Sequence, residues 1–160
     1  MDYYDTAQIC LNGHVITNEY EESPEFRKPH CPKCGQSTIT KCQSCHVNIQ
    51  GDYHVEGVFS LGGSISPAPA YCHSCGNPYP WTEANLNAIS ELLELDELLQ
   101  ESDVATMNEI LPDLLTDTPK SKVAEAKYKI IMRKAGRATY EAVKEIIIGI
   151  ASETIKKSLF

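Results

Sequence analysis

The residues able to do chemistry in this chain stand in pairs. Candidate metal ligands run Cys10-x3-His14, Cys31-x2-Cys34, Cys42-x2-Cys45 and Cys72-x2-Cys75, and no cysteine lies outside these pairs. A gap of two residues lets the backbone wrap into a knuckle that aims both sulfurs at one ion, with nearby amides free to donate to them. Pro32 after the first cysteine and Gly35 after the second suit that turn, and Cys75-Gly76 repeats its second half. Seven cysteines is an odd number, so a pure disulfide framework would leave one thiol over. Seven thiolates plus His14 give eight donors, enough for one site of three cysteines and a histidine and one of four cysteines. Both sets are complete, which is the pattern of structural zinc; a catalytic zinc keeps one position open for water. The expectation is two structural Zn2+ ions.

Other chemistries fit less well. Iron in a rubredoxin-like site would use four cysteines, and a redox-active Cys-x-x-Cys would want a single motif in a βαβ setting. His30, His46, His54 and His73 are spare, although His30, adjacent to Cys31, is placed to replace His14. Two pairings are open. Sequential pairing puts Cys10, His14, Cys31 and Cys34 on one ion and Cys42, Cys45, Cys72 and Cys75 on the other, whereas cross-bracing, as in the RING arrangement, joins the first pair to the third. The linker between Cys34 and Cys42 spans at most roughly 26 Å, which permits either. Sequential sites are favoured because Ser37-Thr38-Ile39-Thr40 reads as one strand passing from one ribbon to the next.

The elements that must position these ligands occupy the first half. All cysteines and histidines and most glycines and prolines precede Thr82, after which the sequence turns to Leu, Ile, Ala, Glu and Lys. The composition breaks at Pro78-Tyr79-Pro80-Trp81. Residues 1–81 read as a β-rich double zinc-ribbon module with too little apolar content for a large core, and residues 82–160 as a helical domain. Four helices are expected. Thr82 caps the first, with Leu86, Ile89 and Leu93 at helical spacing and Leu92, Leu95 and Leu99 widening the apolar face. The second runs from Asp103 to Leu115, with Pro112 marking a kink or end. The third starts at Thr118-Pro119 and ends near Gly136, and the fourth spans about Arg137 to Lys157. The Gly/Ser/Pro-rich stretch from Gly57 to Ala70 reads as a loop.

Composition narrows the function. At 160 residues, 42% hydrophobic and 22% charged, the chain is globular rather than disordered. Its formal charge of −8 argues against a protein that coats nucleic acid or an anionic membrane with its whole surface. The N-terminus carries no signal-peptide pattern, and no run approaches the ~20 apolar residues of a membrane span. A cysteine-rich segment without export points to metal binding in the cytoplasm. Charge is segregated: residues 82–117 hold ten acids and no Lys or Arg, while residues 118–160 hold ten bases against four acids. Lys122, Lys129 and Arg133 fall on one side of the third helix, opposite Tyr128, Ile131 and Ala135. That face is a candidate for binding an anion or an acidic partner.

Cys10-Leu11-Asn12-Gly13-His14, Cys31-Pro32-Lys33-Cys34-Gly35, Cys42-Gln43-Ser44-Cys45, and Tyr71-Cys72-His73-Ser74-Cys75-Gly76 ahead of Pro80-Trp81-Thr82 together resemble a bacterial family of small zinc-ribbon proteins, a domain of unknown function. Asp113-Leu114-Leu115-Thr116-Asp117-Thr118-Pro119 and Ser152-Glu153-x3-Lys157 extend the resemblance along nearly the whole chain. It implies two zinc knuckles fused to a helical tail, and no activity. The residues themselves show no glycine-rich phosphate loop, Gly-x-Ser-x-Gly elbow or His-Glu-x-x-His helix. The expected function is therefore non-enzymatic: a zinc-binding adaptor or regulator that works through protein contacts, including self-association through the apolar stripe of residues 138–160. The rival is a nucleic-acid-binding ribbon protein that uses the basic face of residues 118–137.

Overall fold

In the computed structural model, which describes residues 1–59 and 67–160, short strands precede a run of helices. The chain divides into two compact units, Met1–Thr82 and Glu83–Phe160. No helix among the described residues is long and apolar enough to cross a membrane. The loop expected from Gly57 to Ala70 lies partly outside the described residues, at positions 60–66.

In the first unit, β1 (Tyr3–Thr6) pairs antiparallel with β5 (Gln50–His54). β2 (Gln8–Cys10) is the middle strand of a second sheet, between β3 (Val15–Thr17) and β4 (Thr38–Ile39). A central strand is covered on both faces, and all three β2 residues are buried. Gln8 is the polar exception, and it is satisfied: Nε2 donates to Lys28 O and Thr38 Oγ1, both at 2.8 Å, and Oε1 accepts from Lys28 N at 3.1 Å. This amide pins the segment leading to Cys31 against the strand that ends in Cys10. The apolar core is small: Ala7, Ile9, Ile49, Tyr79 and Trp81 pack with the sulfurs of Cys42 and Cys72. Two ligand residues are thus part of the core itself.

The second unit holds α1 (Pro80–Glu94, which begins in the first unit), α2 (Glu101–Leu115), α3 (Ser121–Lys134), α4 (Arg137–Ile150) and α5 (Glu153–Leu159). Its core gathers Ile89 and Leu93 of α1, Met107, Leu111 and Leu114 of α2, Tyr128 and Ile131 of α3, Val143 and Ile147 of α4, and Ile155 of α5. Several expectations are corrected here. α1 starts at Pro80, whose missing N–H costs nothing at a helix start; Thr82 instead donates its hydroxyl to Ala70 O at 2.7 Å. Leu95 falls past the end of α1 and is 80% exposed. α2 ends at Leu115 as expected, but Pro112 does not end it, because burying Leu111, Leu114 and Leu115 outweighs one lost backbone hydrogen bond.

The expected fourth helix is two. Ala151 and Ser152 leave the helical conformation, and Ser152 Oγ accepts from Ile155 N at 3.3 Å, so a serine cap starts α5. The break also turns Ser152 N toward Leu115 O, the carbonyl at the end of α2, at 3.2 Å. Most of the apolar stripe of residues 138–160 is spent inside this unit, since Val143, Ile147, Ala151 and Ile155 are buried there.

Asp103 sits in the first turn of α2, nearly buried. It accepts from Gln100 N at 3.1 Å and from Lys134 Nζ at 2.9 Å. The lysine and that amide hold its carboxyl below the usual carboxylate range. A lowered folded-state pKa contributes stability above the unfolded value, near 3.9, and loses it as pH falls through the folded value. Asp103→Asn is therefore expected to lower the urea midpoint of the helical signal at pH 7, with the gap to wild type closing as the pH approaches 3, followed by far-UV circular dichroism.

Candidate metal centres

The three Cys-x-x-Cys pairs fold into the same turn. The residue after the second cysteine donates its N–H to the carbonyl of the first: Gly35 to Cys31 at 2.8 Å, His46 to Cys42 at 3.0 Å and Gly76 to Cys72 at 2.9 Å. That residue takes a left-handed conformation each time, with φ of 77°, 63° and 75°. Each first cysteine then donates its own N–H to the carbonyl two positions beyond its second partner, to Gln36, Val47 and Asn77. The turn closes with a bridge between the flanking residues: His30 with Ser37, Lys41 with Asn48, Tyr71 with Pro78. Two of the three positions use glycine, for which a positive φ carries no steric cost; His46 is the exception.

Cys10 and His14 make a fourth, wider turn. Gly13 N donates to Cys10 O at 2.9 Å and Cys10 N to His14 O at 3.0 Å, with Gly13 at φ 89°. A Cβ on Gly13 would stand 3.0 Å from Cβ of Trp81, so the glycine is required by both its conformation and its neighbour. Trp81 is itself fixed by its Nε1 donating to Pro69 O at 2.8 Å and by its ring stacked on Tyr79 at 4.7 Å.

These turns bring the donors together in sequential fashion. One ligand atom from each of Cys10, His14, Cys31 and Cys34 lies within 4.8 Å of the others, and the same holds for Cys42, Cys45, Cys72 and Cys75. His14 Nδ1 stands 3.4 Å from Cys10 Sγ and 3.5 Å from Cys31 Sγ, so it is His14 that turns into the first cluster; His30 pairs in a bridge with Ser37. The cross-braced alternative is not what the chain adopts. Lys122, Lys129 and Arg133 lie exposed on α3, in the other unit, and Lys122 Nζ is within 3.6 Å of Glu125 Oε2 and 3.3 Å of Ser158 Oγ.

The local electrostatics favour thiolates. His14 N donates to Cys10 Sγ at 3.3 Å, Ser44 N to Cys42 Sγ and Ser74 N to Cys72 Sγ at 3.4 Å. The backbone amide of Gln36 brings the Cys34 thiol down to about 6, and the amides of Cys75 and Ser74 do the same for Cys72, also to about 6. The amides of Cys45 and Ser44 lower Cys42. In the same cluster Cys75 goes the other way. The Asn77 amide works to lower its pKa, yet desolvation and the three neighbouring sulfurs push it up to about 11. Burial likewise raises Cys10. Four sulfurs at this separation cannot all ionise unaided; a divalent cation among them removes the conflict, and soft thiolate and imidazole donors suit a metal such as zinc.

The family described as an uncharacterized protein conserved in bacteria (DUF2321) matches residues 3–159. The chain belongs to that family. No curated protein and no solved structure matches it. Sequence reasoning names the ligands but misses the residues that support them, Gln8, Gly13 and Trp81. Gly13 is the one with a signal, since a glycine inside Cys10-x3-His14 plays the part that Gly35 and Gly76 play after their pairs.

Two predictions follow from the turn geometry and donor sets. Gly35→Ala places a side chain at φ 77° and is expected to cost about 1 kcal/mol, whereas His46→Gly relieves the same strain and leaves stability unchanged or slightly raised. Chelator competition on each variant, read as the metal-loss midpoint, checks the opposite signs. Cys72→Ser removes one donor of the second cluster, and metal analysis is expected to fall from two ions per chain to one.

Proposed function

We propose that this chain is a non-enzymatic zinc-binding adaptor or regulatory protein of the bacterial cytoplasm, in which two structural Zn2+ ions hold residues 1–81 as a rigid platform for protein contacts. The observation that carries the reading is the completeness of both donor sets. Cys10, His14, Cys31 and Cys34 form one set of four, and Cys42, Cys45, Cys72 and Cys75 the other. Four protein donors fill a tetrahedral zinc and leave no position for a reacting water. Zinc would supply folding energy here, because the core of this unit is small and includes two of the ligand cysteines.

The helical unit provides the association surface. Val123 and Ile130 on α3 are each 56% exposed, beside the charged face of Lys122, Lys129 and Arg133, and Ile148 of α4 is exposed as well. An apolar strip edged by lysines suits a protein partner or a second copy. A second reading takes the same three cations as a phosphate-binding face for nucleic acid. Labelled nucleic acid separates the two: binding at low salt that weakens steeply as salt rises, and falls with Lys129→Ala and Arg133→Ala, supports the second reading, and no binding at low salt removes it.

Stripping zinc from the full chain is expected to collapse the dispersed amide NMR signals of residues 1–81 while those of the helical unit persist. An apo protein that keeps its dispersion in residues 1–81 contradicts the structural role. Light scattering at micromolar concentration tests self-association, for which a mass above that of one chain is expected.

A further inference from the structure

A cavity of about 220 Å³ opens on the cysteine-rich unit. It is lined by Tyr4, Tyr71, Tyr79, His73, Pro67 and Pro69 together with Gln50 and Gly51, and among the described residues neither lysine nor arginine lines it. Tyr4 is half exposed at the rim, tilted against Tyr53 with ring centroids 4.8 Å apart, whereas Tyr79 is buried at the floor. The pocket adjoins the all-cysteine cluster directly. Tyr71 and His73 flank Cys72 in the chain, and the Tyr79 side chain hydrogen-bonds Cys72.

We propose that this pocket receives an arginine side chain from a basic segment of a partner protein. The inference rests on the reading of the neighbouring cysteine cluster as a metal centre. Four thiolates around a doubly charged ion leave two negative charges uncompensated behind the tyrosine wall. Residues 1–81 add eight acids against four Lys and Arg. The occupant is therefore cationic. Tyrosine faces attract a cation through the negative face of the ring, and guanidinium, planar and weakly hydrated, stacks on them better than a lysine ammonium. The same unit already makes this contact on itself, with the Arg27 guanidinium carbon 4.1 Å from the centre of the Tyr20 ring. A neutral occupant such as a proline ring would fit the shape but not the charge.

The test uses the full chain carrying its two metal ions, with binding followed by the anisotropy of a labelled Gly-Arg-Gly-Arg-Gly peptide. The control peptide has citrulline in place of arginine, which keeps size and planarity and removes the charge. Tyr4→Phe keeps the ring face, and Tyr4→Leu keeps apolar bulk without it; Tyr4 lies outside both donor sets. The arginine peptide is expected to bind, the citrulline peptide at least about tenfold more weakly. Tyr4→Phe should match wild type, and Tyr4→Leu, with both ions retained, should weaken binding roughly fivefold. Equal binding of the two peptides overturns the proposal in favour of a pocket that reads shape. Unchanged binding by Tyr4→Leu places the contact elsewhere and also overturns it. So does a metal-loaded chain that binds neither peptide, which leaves the structural-zinc reading standing, whereas a purified chain that takes up no metal sinks both.

Discussion

Four sulfurs within 4.8 Å of one another set the terms for the N-terminal half of this protein. Ionising all four at that distance is electrostatically forbidden without a cation, and leaving them protonated wastes the amides that point at them. The contrast between Cys72, drawn down to about 6 by the amides of Cys75 and Ser74, and Cys75, driven up to about 11 by desolvation and its three neighbours, is that constraint made visible within a single cluster. A unit with Ala7, Ile9, Ile49, Tyr79 and Trp81 as its main apolar filling has little else to hold it together. With a metal ion held there, its affinity and the stability of this unit would be one quantity, and any change that spreads the sulfurs would weaken both.

The backbone does most of the work of gathering them. Three knuckles of identical hydrogen-bond pattern carry the Cys-x-x-Cys pairs, and a wider turn carries Cys10 and His14. The strands between them are short because they only carry one knuckle to the next: β4 is two residues long, yet it pairs with β2 and so brings Cys10 beside the turn that holds Cys31 and Cys34. The helical half uses a different economy. Its core is ordinary close packing of Leu, Ile, Met and Tyr, and its polar contacts, such as Asp103 with Lys134 and Ser152 with the end of α2, sit where helices begin and end.

Much of this was legible in the sequence, for a physical reason. Metal ligation constrains residue type and spacing together, so Cys-x-x-Cys-Gly announces its turn without help from the rest of the chain. Helical periodicity likewise put Ile89 and Leu93 on the apolar face of the first helix, and both are core positions; Val143 and Ile147, in the stripe read as a self-association surface, are core positions too. What escaped was set by tertiary contacts. The pairing of β1 with β5 joins segments more than forty residues apart, and neither Tyr3-Tyr4-Asp5-Thr6 nor Gln50-Gly51-Asp52-Tyr53 alternates cleanly enough to announce a strand. Ser152 looks like an ordinary helix residue until the free carbonyl of Leu115 is placed beside it.

The closeness of Gly13 to Trp81 has a practical side. Trp81 is the chain's single tryptophan, and it is wedged between the Cys10–His14 turn and Tyr79, whose side chain meets Cys72. One indole therefore touches the surroundings of both donor clusters. Its emission, read from the first turn of α1, is a built-in optical gauge of the cysteine-rich unit and answers to a change in the surroundings of either donor cluster in the unlabelled protein.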